Sequence, residues 1–202
     1  MLKIYHAAGT RGIRPIWLCH ELDIPIEVEM IDFSPAARAR PEWRAISPLG
    51  KVPLLLDNDV RMFESGAMMD YIIAKYGNGA LQPTPGTRAH AEYCQWHWYA
   101  EATFSRPLGE IVNHGREFPG ELRIDAVVAE MTNRGVLAGQ VVADHMQNRS
   151  FLVEDTFSAA DISMGYTIML LETFAPDRFP EGLKDYWTRL QARPAFQSAT
   201  QS

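Results

Sequence analysis

Two cysteines in 202 residues are too few for a disulfide scaffold. Cys19 and Cys94 form no Cys-x-x-Cys pair, which excludes dithiol exchange. No apolar run approaches the length needed to cross a bilayer. Basic residues do not predominate: 19 Lys and Arg stand against 25 Asp and Glu, a net charge of −6. No positive field therefore marks a nucleic-acid partner. Phosphate-binding loops, dinucleotide fingerprints and zincin pairs are also missing. Met1-Leu-Lys-Ile-Tyr5 reads directly as a strand, with no signal-peptide pattern. The expectation is a protein of a reducing, cytoplasmic space, with neither membrane nor nucleic acid as partner.

What is present suits an ordinary globular chain, 47% hydrophobic and 22% charged. The length allows one large domain or two small ones. Alternation over 2–5 predicts a first strand, and 26–31 a second. Between them a small-residue loop at 7–10 precedes a helix over 13–22, with Pro15 tolerable in its first turn. Residues 41–46 read as a short helix or irregular segment with Trp43 packed inward. A hairpin joins 53–56 to 60–63 across Asp57-Asn-Asp59, a turn-rich triplet. A helix follows over 65–76 and stops at Gly77. The order βαβ, then ββα, is thioredoxin-like.

Residues 77–86 are rich in Gly and Pro and read as a linker. Beyond them only helical patterns appear, over 88–111, 123–147, 158–174 and 183–193. The expected division is a thioredoxin-like domain at 1–78, a linker at 79–88 and an all-helical domain at 89–202.

The densest signal lies at Ser47-Pro-Leu-Gly-Lys-Val-Pro-Leu-Leu-Leu56, followed by Phe63-Glu-Ser-Gly66. Proline cannot donate to a sheet ladder, so a Val-Pro step opening an apolar run is unusual. It makes sense if Val52 uses its backbone to bind another peptide. Glu64 and Ser65 place a carboxylate and a hydroxyl at a helix start, where anionic groups are favoured. A small peptide with a free amine and free carboxylates suits such a place.

These residues resemble the glutathione transferase family. The resemblance runs through Phe157-Ser-Ala-Ala-Asp-Ile162, similar to that family's helical-domain capping box, to Arg193-Pro-Ala-Phe196, which is similar to the end of bacterial members. It implies that Val52, before a cis Pro53, pairs with the cysteinyl part of glutathione. It implies that Glu64 and Ser65 hold the γ-glutamyl end and that Lys51 meets the glycine carboxylate. It further implies a homodimer whose partner subunit completes the site.

A cysteine thiol titrates at about 8.5, and the thiolate is the nucleophile. By the same resemblance, Tyr5 lies where tyrosine-type members carry their activating phenol, and Arg11 matches an arginine that assists ionisation. Thr10 falls where beta-type members place a cysteine, near the serine of the serine-type classes. Tyr5, Thr10 and bare backbone N–H groups thus all stand as activators. Arg14 reads as a structural or dimer contact.

In the helical half, Tyr99, Thr103, Phe104 and Pro107 are the candidates for an apolar pocket that takes a hydrophobic electrophile. The reading is glutathione transfer to such an electrophile, without a metal. Two others stand beside it. One is a different glutathione-dependent reaction: ether cleavage, dehalogenation, isomerisation or peroxide reduction. The other is a non-catalytic interaction module on the same fold.

Two more constellations read as structural. Ser158 and Asp161 sit at N-cap and N3 positions and form a capping box rather than a catalytic acid. His90, Cys94 and His97 share a helix face, but three ligands over two turns span roughly 10 Å, too far for one tetrahedral ion.

Overall fold

The computed structural model describes residues 1–201. Contacts divide it into two compact units. One comprises Met1–Leu81 with the segment from Gln191 onward; the other is Gln82–Leu190.

The first unit runs β1 (Leu2–His6), α1 (Ile13–Glu21), β2 (Ile26–Met30), α2 (Pro35–Arg38), α3 (Pro41–Ile46), β3 (Leu54–Asp57), β4 (Val60–Met62), α4 (Ser65–Tyr76). Its four strands form one sheet in the order β2-β1-β3-β4. β1 is parallel to β2 and antiparallel to β3, and β3 is antiparallel to β4. This is the thioredoxin-like arrangement. The sequence pattern did not show α2, because four residues are too few for a helical period. Its start is local chemistry: Ser34 Oγ accepts the Ala37 N–H at 3.2 Å, and Pro35 occupies the first turn.

β1 sends Leu2, Ile4 and His6 into the interior and leaves Lys3 and Tyr5 on the half-exposed face. Lys3 there holds Glu27 at 2.9 Å and Glu29 at 2.5 Å across the parallel ladder. α1 buries Ile13, Ile16, Trp17 and Leu18, and α4 buries Met68, Met69, Ile72 and Ile73. These two helices pack on each other.

A last helix, α10 (Pro194–Thr200), packs on α1. The Phe196 ring meets Trp17 edge-on at 4.8 Å. Arg193 grips Glu21 with two hydrogen bonds of 2.6 and 2.7 Å. The helical pattern over 183–193 therefore ends early, and Pro194 opens a separate helix. Nothing in the Gly- and Pro-rich linker signals this return of the chain to the sheet-bearing unit.

The second unit contains α5 (Arg88–Trp98), a π-helical turn at Tyr99–Phe104, α6 (Ser105–Glu117), α7 (Asp125–His145), α8 (Ala159–Phe174) and α9 (Lys184–Gln191), the last of which crosses the unit boundary. The continuous helix expected over 88–111 is thus interrupted. Pro107 supplies the reason: without an N–H it cannot bond the Thr103 carbonyl, so the ladder readjusts just upstream. The Thr167 hydroxyl lies 3.2 Å from the Ala100 carbonyl of that turn and 3.1 Å from the Ser163 carbonyl, its one proton shared between them. α8 is buried on almost every side along its first three turns, the mark of a central helix. No helix among the described residues is long and apolar enough to cross a membrane.

Candidate functional site

The loop from Ser47 to Pro53 is held by hydrogen bonds to its own backbone. Lys51 N–H donates to Ser47 Oγ at 3.1 Å, and the Ser47 hydroxyl donates back to the Lys51 carbonyl at 2.8 Å. Arg38 Nε bonds the Gly50 carbonyl at 3.0 Å, and Arg44 Nη1 the Pro48 carbonyl at 2.8 Å. Gly50 is needed here: its φ is +61°, and a Cβ would lie 2.5 Å from the Arg38 carbonyl oxygen. The Val52–Pro53 peptide is cis. Pro53 is buried, Val52 half-buried and Lys51 exposed. The β1–β3 ladder ends at the Tyr5–Leu54 pair, so the Val52 backbone lies beyond it.

Glu64 precedes α4 with φ +75° and ψ 104° and is exposed. A non-glycine residue held there carries a strain of order 1–3 kcal/mol, which surrounding structure must offset. Ser65, the next residue, is buried and accepts a hydrogen bond from Arg14 Nη1 at 3.3 Å. Arg14 sits in the first turn of α1 with no solvent exposure. This contact joins the N-terminal ends of α1 and α4. Both helix dipoles and a guanidinium then favour anionic groups nearby. Sequence reasoning gave Arg14 a structural or dimer role; its contact with a candidate binding serine only tertiary structure could show.

The loop between β1 and α1 adds the hydroxyl of Thr10. It donates to the Ala7 carbonyl at 2.7 Å and lies 3.3 Å from His6 Nδ1. Thr10 does not cap α1, whose N-cap is Gly12 with no side-chain bond. Arg11 is half-buried beside it. Tyr5 leaves β1 on the opposite face from His6. Its ring packs 5.6 Å from that of Trp43, and Lys3 Nζ lies 5.1 Å from its centre. The structure therefore groups Lys51, Val52, Pro53, Glu64, Ser65, Thr10 and Arg11 within one unit, with Tyr5 on the Trp43 side of the sheet.

Within the helical unit a cavity of about 840 Å³ runs between α6 and α7. Tyr99, Thr103 and Pro107 line it, with His114, Met131 and Leu137 among the other walls. Phe104 is fully buried and does not line it; its ring lies 6.5 Å from that of Tyr99. The Tyr99 hydroxyl donates to the Ala138 carbonyl at 3.0 Å, and burial pushes its phenol up. His114 closes one end: Nε2 accepts the Ile124 N–H at 2.9 Å, and the ring stacks on Phe118. On α5, Cys94 Sγ is 3.8 Å from the His90 ring, while Tyr93 stacks between His90 and His97. Among the described residues no group of three or more potential metal ligands occurs.

An acidic residue and a serine thus stand at a helix start, after a cis-proline loop on a thioredoxin-like sheet. The match at residues 1–74 is to the family described as glutathione S-transferase, N-terminal domain. Glutathione S-transferase 3 of Schizosaccharomyces pombe is 26% identical over 217 residues, covering 100% of this chain and 87% of its own length. Poplar glutathione transferase F1 superposes with a TM-score of 0.83 at 25% identity, over 99% of this chain and 96% of that one. A glutathione transferase homologue from Sulfitobacter, solved with bound glutathione, superposes at 0.85 with 22% identity, over 100% and 97%. Residues 1–74 thus match a glutathione S-transferase N-terminal domain, and the whole chain is similar in sequence and fold to glutathione S-transferases.

Proposed function

We propose that this protein binds glutathione in its sheet-bearing unit and transfers the glutathione sulfur to a small apolar electrophile. The observation that supports the reading is the Arg14–Ser65 hydrogen bond, which ties the first turn of α1, just after the Thr10 loop, to the start of α4. Glu64 receives the γ-glutamyl amine, and Ser65 donates to its carboxylate while accepting from Arg14. The Val52 backbone, beyond the end of the ladder, pairs with the cysteinyl residue, and Pro53 shapes that edge. Lys51 is a point charge for the glycine carboxylate.

Thr10 is the hydroxyl that favours the thiolate, with Arg11 adding positive charge. Tyr5 serves packing, since its ring is committed to Trp43 on the other face. The thiol proton leaves to solvent. The sulfur lone pair then forms a bond to the electrophilic carbon, and the leaving group departs with its bonding pair. Proximity and orientation supply much of the rate. Tyr99, Thr103 and Pro107 hold the electrophile, with Phe104 packing beneath them. A homodimer is part of the same reading, and the exposed Phe63 ring, 53% accessible, is a candidate contact for it.

Calorimetric titration with glutathione tests the binding site. Saturable binding is expected, with Glu64→Ala weaker by about 10- to 100-fold, the value of a charged hydrogen bond. No binding by folded wild-type protein would overturn the proposal. Turnover is then read on a nitro-activated aryl halide and on a dihalomethane. Binding without turnover of any electrophile would favour an interaction module.

A further inference from the structure

His6 is a histidine at an interior strand position, where Leu2 and Ile4 share its face. It has no solvent exposure. Its Nε2 has no hydrogen-bond partner among the described residues, and its Nδ1 lies 3.3 Å from Thr10 Oγ1. Burial brings its titration down to about 4, so the ring is neutral at physiological pH. An aliphatic residue would fill this position without stranding a ring nitrogen.

The proton count fixes the direction of the contact. Thr10 has one hydroxyl proton, and the 2.7 Å bond to the Ala7 carbonyl uses it. The 3.3 Å contact to His6 then requires Nδ1–H as donor and Thr10 Oγ1 as acceptor. The fold keeps room for the ring: a Cβ on Gly12 would stand 2.2 Å from His6 Nδ1. The N-cap of α1 thus carries no side chain where the imidazole meets the Thr10 loop.

We propose that His6 is a positioning residue for thiol activation, holding Thr10 Oγ1 through Nδ1–H so that the hydroxyl can turn its proton from the Ala7 carbonyl to the glutathione sulfur. The inference rests on Thr10 as the activating hydroxyl. A hydroxyl rotor accepts one bond while its proton swings between two acceptors. An oxygen that receives a hydrogen bond is also a stronger donor, because chained bonds polarise one another. Neutral His6 supplies this effect without a charge of its own and without touching substrate.

The test is the ultraviolet thiolate absorbance of enzyme-bound glutathione, titrated against pH. Thr10→Ala and His6→Leu are each expected to raise the bound thiol's pKa by about one unit, a tenfold loss of thiolate. The double variant should show little more than either alone. His6→Asn, whose amide nitrogen replaces Nδ1, should restore most of the shift. His6→Gln keeps a polar side chain but moves the donor, and should behave as His6→Leu; it serves if the leucine variant does not fold. A wild-type thiol pKa in folded His6→Gln or His6→Leu, with Thr10→Ala shifted, would overturn this inference alone. An unshifted Thr10→Ala would overturn the Thr10 reading and this inference with it. Loss of glutathione binding by wild-type protein would overturn the functional reading itself.

Discussion

Asp57 collects four donors at the end of β3: Tyr71 at 2.7 Å, Lys75 at 2.6 Å and Tyr76 at 2.5 Å on one oxygen, and Asn58 Nδ2 at 3.1 Å on the other. Its carboxylate is 1% exposed. The Lys75 ammonium, then the Tyr76 hydroxyl, hold it down to about 2 from 3.8. The folded state therefore binds this proton less readily than the unfolded chain. The stabilisation is complete above about pH 4 and is lost as pH falls toward 2. Asp57→Asn should cost on the order of 2 kcal/mol at pH 7 and flatten stability between pH 4 and 2. Urea melts across that range check both.

His6 works through the opposite charge type. Its neutral form is native, and burial lowers its titration from 6.5 to about 4. Below pH 6.5 the unfolded chain takes up a proton that the folded chain refuses, so stability falls until about pH 4. The expected loss is on the order of 2–3 kcal/mol. Folded His6→Leu should lack that slope in the same melts. Neither signature was visible in the sequence, because Asp57 read as a turn residue and His6 fell between the strand expected over 2–5 and the loop at 7–10.

At the scale of elements, the α8 start and the π turn make contrasting cases. Asp161 accepts the Ser158 N–H at 2.8 Å, the reciprocal bond that the spacing anticipated, and the Ser158 hydroxyl at 3.0 Å. It also takes the Leu152 N–H at 3.0 Å and the Tyr186 hydroxyl at 2.8 Å. Ser158→Ala should therefore cost about 1 kcal/mol. Asp161→Ala should cost roughly 3 kcal/mol, because it strands four donors in the core. Thermal and urea unfolding read the difference. The cap was legible because its partners lie three residues apart. The other two donors come from positions 9 and 25 residues away, which no local pattern reports.

The π turn at Tyr99–Phe104 was hidden for a related reason. Aromatic and apolar residues fill 88–111 densely enough to satisfy a helical period throughout. The break follows from Pro107, whose missing N–H acts four residues upstream. Pro107→Ala should let the ladder regularise and shift Thr103 and Tyr99 relative to α7. The expected kinetic result is a several-fold change in KM for the electrophile with KM for glutathione unchanged. Equal changes in both would mean that the turn serves the whole site rather than the apolar pocket.

At the scale of the whole molecule, the C-terminal segment is part of the sheet-bearing unit. Phe196 against Trp17 and the paired bonds of Arg193 to Glu21 fasten α10 to α1, and Trp17 Nε1 adds a 2.7 Å bond to the same Glu21 carboxylate. Phe196→Ala should destabilise by roughly 3 kcal/mol, the usual cost of deleting a buried aromatic ring. Since α1 also carries Arg14, glutathione affinity should fall with it. Unfolding curves and calorimetry on the same variant test the coupling. Unchanged affinity in a destabilised variant would separate α10 from the site.

The sequence by itself determined the order of strands and helices in the first unit apart from α2, the helical character of the second half, the helix start at Ser65 after Glu64, and the Ser158–Asp161 cap. Each rests on a local rule: a period of two or of 3.6, or a cap three residues from its partner. Tertiary structure alone decided that Arg14 reaches Ser65, that Tyr5 faces Trp43 while His6 faces Thr10, and that α10 returns to α1. Those facts depend on which face of a strand meets which helix, and on contacts between residues as far apart as Glu21 and Arg193. Packing sets such contacts, and no spacing along the chain encodes them.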